Sequence, residues 1–200
     1  MAETATAEAH HTSTGIANTK LAMWTFLGSE CLLFGALISV FLLYRGRVQA
    51  GPSPADVFDI PFTSVSSFVL LMSSLTMVLA LAAYQRDDLA NGRLWLMATA
   101  LLGMVFISGQ IYEFTVFVKE GFTVRSSSAG SAFFVLTSFH GAHVTIGIVM
   151  LISLVLISRM GKLPKEKATA VEYVGLYWHF VDIVWIVIFT LIYLIPAPAA

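Results

Sequence analysis

The chain is predicted to be an all-α membrane protein: a bundle of five transmembrane helices, N-terminus cytoplasmic and C-terminus external. Three observations predict this. Of 200 residues, 58% are apolar and only 12% charged, about half the roughly 25% charge of a soluble domain. Five windows free of Lys and Arg are each long enough to cross about 30 Å of hydrocarbon as a helix. None alternates with period two, which argues against a β-barrel, and unpaired backbone groups in hydrocarbon require helices instead. The same composition excludes disorder. The net charge of −1 offers no basic surface for nucleic acid, and the single Cys31 allows no internal disulfide and no all-cysteine metal cluster.

Taken in order, residues 1–19 form a polar N-terminal tail expected to be mobile, with no charged start, apolar h-region or cleavage site of a signal peptide. Its His10-His11 pair is read as solvated. Residues 20–200 are read as the bundle, with spans at about 21–44, 64–84, 94–117, 131–157 and 174–195. The connections are short. Gly51-Pro52-Ser53-Pro54 and Pro61 mark turns in the first, Gly121 and Ser126-Ser127-Ser128 lie in the third, and Pro164 in the fourth. Trp24, Tyr44, Tyr84, Trp95, Tyr112, Tyr173, Tyr177 and Tyr193 fall near span ends, as an interfacial aromatic belt would. The tail, second and fourth connections carry seven Lys and Arg (20, 86, 93, 159, 162, 165, 167). The other side carries four (45, 47, 119, 125), which sets the orientation.

Six ionisable residues fall inside the spans: Glu30, Glu113, His140, His143, His179 and Asp182. Each costs about 2.5–3.5 kcal/mol at a helix centre on insertion scales, so each should face protein or water and hold a partner. Rise per residue puts Glu30 about 14 Å and His143 about 21 Å from the cytoplasmic ends of their spans. By the same measure Glu30, His179 and Asp182 share the cytoplasmic half, and Glu113 and His140 the outer half, with His143 between. His140/His143 and His179/Asp182 are spaced three apart, so each pair shares one helix face, continued by Gly147 and Gly175.

Three readings compete. A metal or haem site could use His-x-x-His with a third His and an Asp, but three intramembrane histidines are too few for a bis-histidine dihaem protein, and one cysteine excludes a two-cysteine copper centre. A small independent proton-coupled carrier could use acids and imidazoles at different depths, although no repeat is visible. In the third reading the acids and imidazoles satisfy one another and lock the helices together.

Four motifs hold these groups: Ser29-Glu30-Cys31-Leu32-Leu33-Phe34; Gly109-Gln110-Ile111-Tyr112-Glu113; Phe139-His140-Gly141-Ala142-His143-Val144; and Tyr177-Trp178-His179-Phe180-Val181-Asp182-Ile183-Val184-Trp185. In order and register, from about Lys20 to Tyr193, they resemble subunit III of haem–copper terminal oxidases in its five-helix bacterial form. That resemblance implies a bacterial plasma-membrane protein with no catalytic, cofactor or metal residues of its own. Haem and copper are expected in partner subunits I and II. It also implies direct packing on subunit I, association with subunit II and possible small subunits, bound phospholipid, and support of proton uptake and sustained turnover. Electrons would reach the complex from cytochrome c, toward which the second and fourth motifs lean, or from quinol. Glu30, Gln110, Glu113, His140, His143, His179 and Asp182 are the candidate residues for buried polar structure or proton-uptake support, with Glu30 and Asp182 foremost as acids paired with histidines.

Overall fold

A computed structural model describes residues 18–45, 58–163 and 168–195. The His10-His11 pair, the Gly51–Pro54 turn and Pro164 lie outside them. The described residues form five helices long and apolar enough to cross a membrane: α1 Asn18–Tyr44, α2 Ile60–Gln85, α3 Leu89–Lys119, α4 Ser128–Arg159 and α5 Ala168–Phe189. The last is extended by a π-helical turn, Thr190–Leu194. The helices overrun the windows free of Lys and Arg because caps and basic residues continue them past the hydrocarbon. Asp59, Asp88 and Ser127 start α2, α3 and α4 by accepting the backbone N–H of Phe62, Asn91 and Gly130.

Three helices end in the same way. A residue of positive φ follows the last turn, and the next N–H reaches back five residues: Asp88 to Ala83, Phe122 to Phe117, Lys162 to Ile157. Gly121 and Gly161 supply the left-handed residue after α3 and α4, but Asp87, at φ 62°, supplies it after α2.

α5 is the central rod. Half of its most apolar stretch is buried inside the protein, against 17% for α1. It packs on α2, α4 and α1, while α3 lies between α2 and α4. α1 buries only Leu27, Phe34 and Phe41, one residue every two turns, against α4 and α5. At the end carrying the α1 N-terminus (the near end), Lys20 pairs with Glu172 at 3.0 Å and Thr19 meets the Tyr173 hydroxyl at 2.9 Å. At the far end, Arg45 donates to the Leu191 carbonyl at 3.0 Å, within the π-turn that shifts backbone bonding to Ile195 N–H···O Thr190. Phe58 there stacks among Phe117, Phe133 and Tyr193, closing the bundle with rings.

The core is organised around Trp178, which is 1% exposed. Its six-membered ring occupies a slot left by two glycines. A Cβ on Gly103 of α3 would lie 2.6 Å from the indole, and one on Gly147 of α4 would lie 2.7 Å from it. Gly147, which continues the His140/His143 face, therefore admits a side chain from α5. The aromatic belt needs a correction. Trp24 and Tyr112 do face outward, but Tyr84, Tyr177 and Tyr193 are buried. Tyr84 packs where Gly92 lacks a side chain, so its ring is core although its sequence position is terminal.

Candidate functional site

The polar interior is built on α2. Thr63, Ser66, Ser67, Ser73 and Ser74 recur at three-, four- and seven-residue spacing and line the buried side of that helix. Trp185 donates its indole N–H to Ser67 at 2.8 Å, and Trp178 donates to Ser73 at 2.9 Å. Antiparallel packing sets indoles seven residues apart on α5 against hydroxyls six residues apart on α2. Sequence reasoning missed this ladder. Its signal was available in hydroxyls recurring along one side of an apolar span and in two tryptophans two turns apart.

Each acid sits on a different seam. Glu30 of α1 meets His143 of α4, Oε2 to Nε2 at 3.1 Å, with both side chains largely enclosed (15% and 14% exposed). The other ring nitrogen of His143, Nδ1, donates to the Phe139 carbonyl at 2.7 Å. With Nδ1 committed as a donor, Nε2 and Glu30 share one proton. Either imidazolium faces carboxylate, or a protonated acid donates to neutral imidazole. Beside the pair, a groove of about 380 Å³ is lined by Met23, Phe26, Met150, Tyr173 and Tyr177, among others.

Asp182 of α5 does not meet a histidine directly. Ser74 donates to its Oδ2 at 2.6 Å and accepts from His179 Nδ1 at 3.1 Å, giving the order His179, Ser74, Asp182. The other carboxylate oxygen, Oδ1, is buried without a partner. Glu113 of α3 is 3% exposed. Thr63 of α2 hydrogen-bonds its Oε1, and Gln110, one turn earlier, donates to Oε2 at 2.9 Å. His140 donates from Nε2 to the Val181 carbonyl at 3.2 Å and lies against Trp185, with ring centroids 4.8 Å apart.

Two expectations therefore change. Glu30 joins His143 and not the near-end group of His179 and Asp182, and Glu113 joins hydroxyl and amide groups in place of His140. Depth counted along each helix assumed flush ends. The roughly 7 Å mismatch between Glu30 and His143 is little more than one helical turn, which helices of 27 and 32 residues absorb by unequal overhang. Of the two acids expected to pair with histidine, Glu30 does so directly and Asp182 through Ser74.

The sequence profile described as Cytochrome c oxidase subunit III matches residues 1–196. The chain belongs to the cytochrome c oxidase subunit III family. A Probable quinol oxidase subunit 3 from Staphylococcus saprophyticus is 41% identical over 177 residues, covering 88% of this chain and 88% of the relative. The Cytochrome c oxidase subunit 3 of Bacillus sp. (strain PS3) is 37% identical over 177 residues, 88% of this chain and 86% of the relative. That of Bacillus subtilis (strain 168) is 39% identical over 178 residues, with the same two shares. Relatives named for either electron donor stand at similar identity. With five apolar spans and bacterial relatives, this subunit III homologue is a multi-pass protein of the plasma membrane.

Among the described residues the donor set does not suit a metal ion. The imidazoles are engaged with Val181, with Phe139 and Glu30, and with Ser74, on separate seams. Among the described residues no three His, Cys, Asp or Glu side chains gather as a metal would need.

Proposed function

We propose that this chain is the accessory subunit III of a proton-pumping haem–copper terminal oxidase and carries no redox centre itself. Haem and copper reside in partner subunits I and II. This chain packs on subunit I, holds phospholipid in the groove beside Glu30, and supports proton uptake and sustained turnover. The seven-to-four excess of Lys and Arg at the near end supports a cytoplasmic N-terminus and an external C-terminus. On that orientation Glu30, His143, His179 and Asp182 reach from the cytoplasmic side toward the membrane middle, and Gln110, Glu113 and Thr63 brace the outer half beneath the aromatic closure.

The observation that carries the proposal is the Glu30–His143 pair. One proton shared across an interhelical contact, beside an open groove, can pass between acid and imidazole without changing the net charge of the pair. The other acids are held by hydroxyl and amide donors and serve structure. Cytochrome c is the proposed donor to the complex, from the motifs at Gly109–Glu113 and Tyr177–His179. Quinol is the second reading, supported by the relative at 41% identity.

The test is Glu30→Gln in the assembled oxidase. Assembly and initial rate are expected to persist, while activity decays sooner over many turnovers and bound phospholipid falls. Unchanged endurance together with unchanged lipid would remove the role. Proton movement by the chain alone in liposomes would favour an independent carrier instead.

A further inference from the structure

The far half of the bundle, which the Glu30 pair does not reach, holds a buried acid whose hydrogens can be counted. Glu113 of α3 faces Thr63 of α2, and Thr63 Oγ1 touches three other oxygens. It lies 2.9 Å from the Asp59 carbonyl, against Glu113 Oε1, and in hydrogen-bond contact with the Tyr193 hydroxyl of the π-helical turn. Each contact needs one hydrogen between its two oxygens, so the three need three. The Thr63 and Tyr193 hydroxyls carry one each, and a carbonyl carries none. The third comes from the Glu113 carboxyl. Thr63 then donates to Asp59 and accepts from both Tyr193 and Glu113, which fills the one hydrogen and two lone pairs of its hydroxyl. Gln110 donates to the other carboxyl oxygen of Glu113 at 2.9 Å, as a carbonyl oxygen allows.

Burial points the same way. Glu113 is buried, as are Thr63 and Tyr193. Among the described residues no Lys, Arg or His pairs with Glu113, so an ionised carboxylate here would be a bare charge in hydrocarbon. The site is also closed on both sides. Toward the far end, Phe58 stacks on Tyr193 with centroids 4.5 Å apart and meets Phe117 at 5.5 Å. Toward the bundle middle, Ser67 gives its hydrogen to the Thr63 carbonyl and accepts from Trp185. An indole N–H has no acceptor lone pair and cannot relay a proton.

We propose that Glu113 is a resident proton site: a neutral carboxylic acid whose proton is locked in the Thr63 junction, fastens α3 to α2, and is isolated from the proton shared by Glu30 and His143. This assignment concerns the chain alone and does not rest on the oxidase reading.

The experiment is infrared difference spectroscopy of the full chain in detergent at neutral pH, parent against Glu113→Gln. A glutamine amide can donate to Thr63 and accept from Gln110, so the fold should persist, with an unfolding constant within about threefold of the parent. The parent should show the C=O stretch of a protonated carboxylic acid that the variant lacks. In heavy water that band should take up deuterium over minutes to hours, as opening of a buried seam allows, and not on mixing. Thr63→Val removes the acceptor and leaves the acid in place. Its acid band should remain but move to higher wavenumber, and its unfolding constant should rise about fivefold to 150-fold, the range for a buried donor left unpaired. Glu30→Gln should leave the Glu113 band and its exchange unchanged. Loss of a carboxylate band in Glu113→Gln, in place of an acid band, would overturn the proposal because the residue would then be ionised. An acid band unmoved by Thr63→Val would overturn the junction, and one that deuterates on mixing, or faster in Glu30→Gln, would overturn its isolation.

Discussion

Alanine at Gly147 is expected to destabilise the bundle, although the same change on an open helix face would stabilise it. Gly to Ala in a helix interior gains about 1 kcal/mol from propensity. At Gly147 the new Cβ would lie 2.7 and 2.8 Å from two carbons of Trp178 and 3.4 Å from Tyr177. The indole cannot retreat toward α3, where Gly103 leaves a slot of the same tightness. It cannot swing freely either, because its N–H donates to Ser73. Overpacking costs about 1–3 kcal/mol. A displaced indole that leaves its N–H without a partner costs about 1–3 more. Less the propensity gain, Gly147→Ala should lose about 1–5 kcal/mol, and Gly103→Ala a similar amount. Gly28 and Gly35 on α1 have open space around them, so alanine there should be neutral or stabilising by up to about 1 kcal/mol. Equilibrium unfolding of the full chain in mixed micelles measures all four. Trp178→Phe removes the carbons that the new methyl meets, so Gly147→Ala should cost less in that background, with a coupling above about 0.5 kcal/mol. A Gly147→Ala protein as stable as the parent, or purely additive energies, would refute the slot.

The other expectations are simpler. Ser74→Ala removes the hydroxyl between His179 and Asp182 and leaves the carboxylate with neither oxygen paired; a loss of about 2–3 kcal/mol in the same unfolding assay is expected, and a neutral result would contradict the bridge. Asp87 holds a left-handed conformation where the other two helix ends use glycine, so Asp87→Gly should raise stability by about 1 kcal/mol; a loss would mean that the aspartate makes a compensating contact. Hydrogen bonds from the Asn91 side chain and backbone hold the Asp88 carboxyl below its ordinary 3.8. A depressed acid stabilises the folded form above the unfolded value, and the contribution disappears as pH falls through the folded value. Amide protection at Asn91, corrected for intrinsic exchange, should therefore fall below about pH 4 and be indifferent to pH in Asp88→Asn.

The resemblance and the buried-charge argument reached the same six ionisable residues by separate routes, because a charge in hydrocarbon is too costly to be incidental. Partner choice was not legible in the same way. Glu30 meets His143 across 113 residues of sequence, and that contact depends on helix overhang, which composition does not encode. Ser67, Ser73 and Ser74 looked like ordinary small residues of an apolar span until Trp185, Trp178 and Asp182 were brought against them. Tyr84 looked interfacial by position and is core by packing.

What the sequence by itself determined is the solvent: windows of membrane length free of Lys and Arg, basic residues confined to their ends, and ionisable groups few enough to demand partners. Those follow from transfer free energies, which act residue by residue. What only the tertiary structure decided is which groups became partners. α1 docks chiefly on α4 and α5 rather than on its neighbour in sequence, and the fit of an indole between two glycines and the alignment of hydroxyls with acids arise from relative helix height and rotation. Such terms belong to pairs of helices, and no single span contains them.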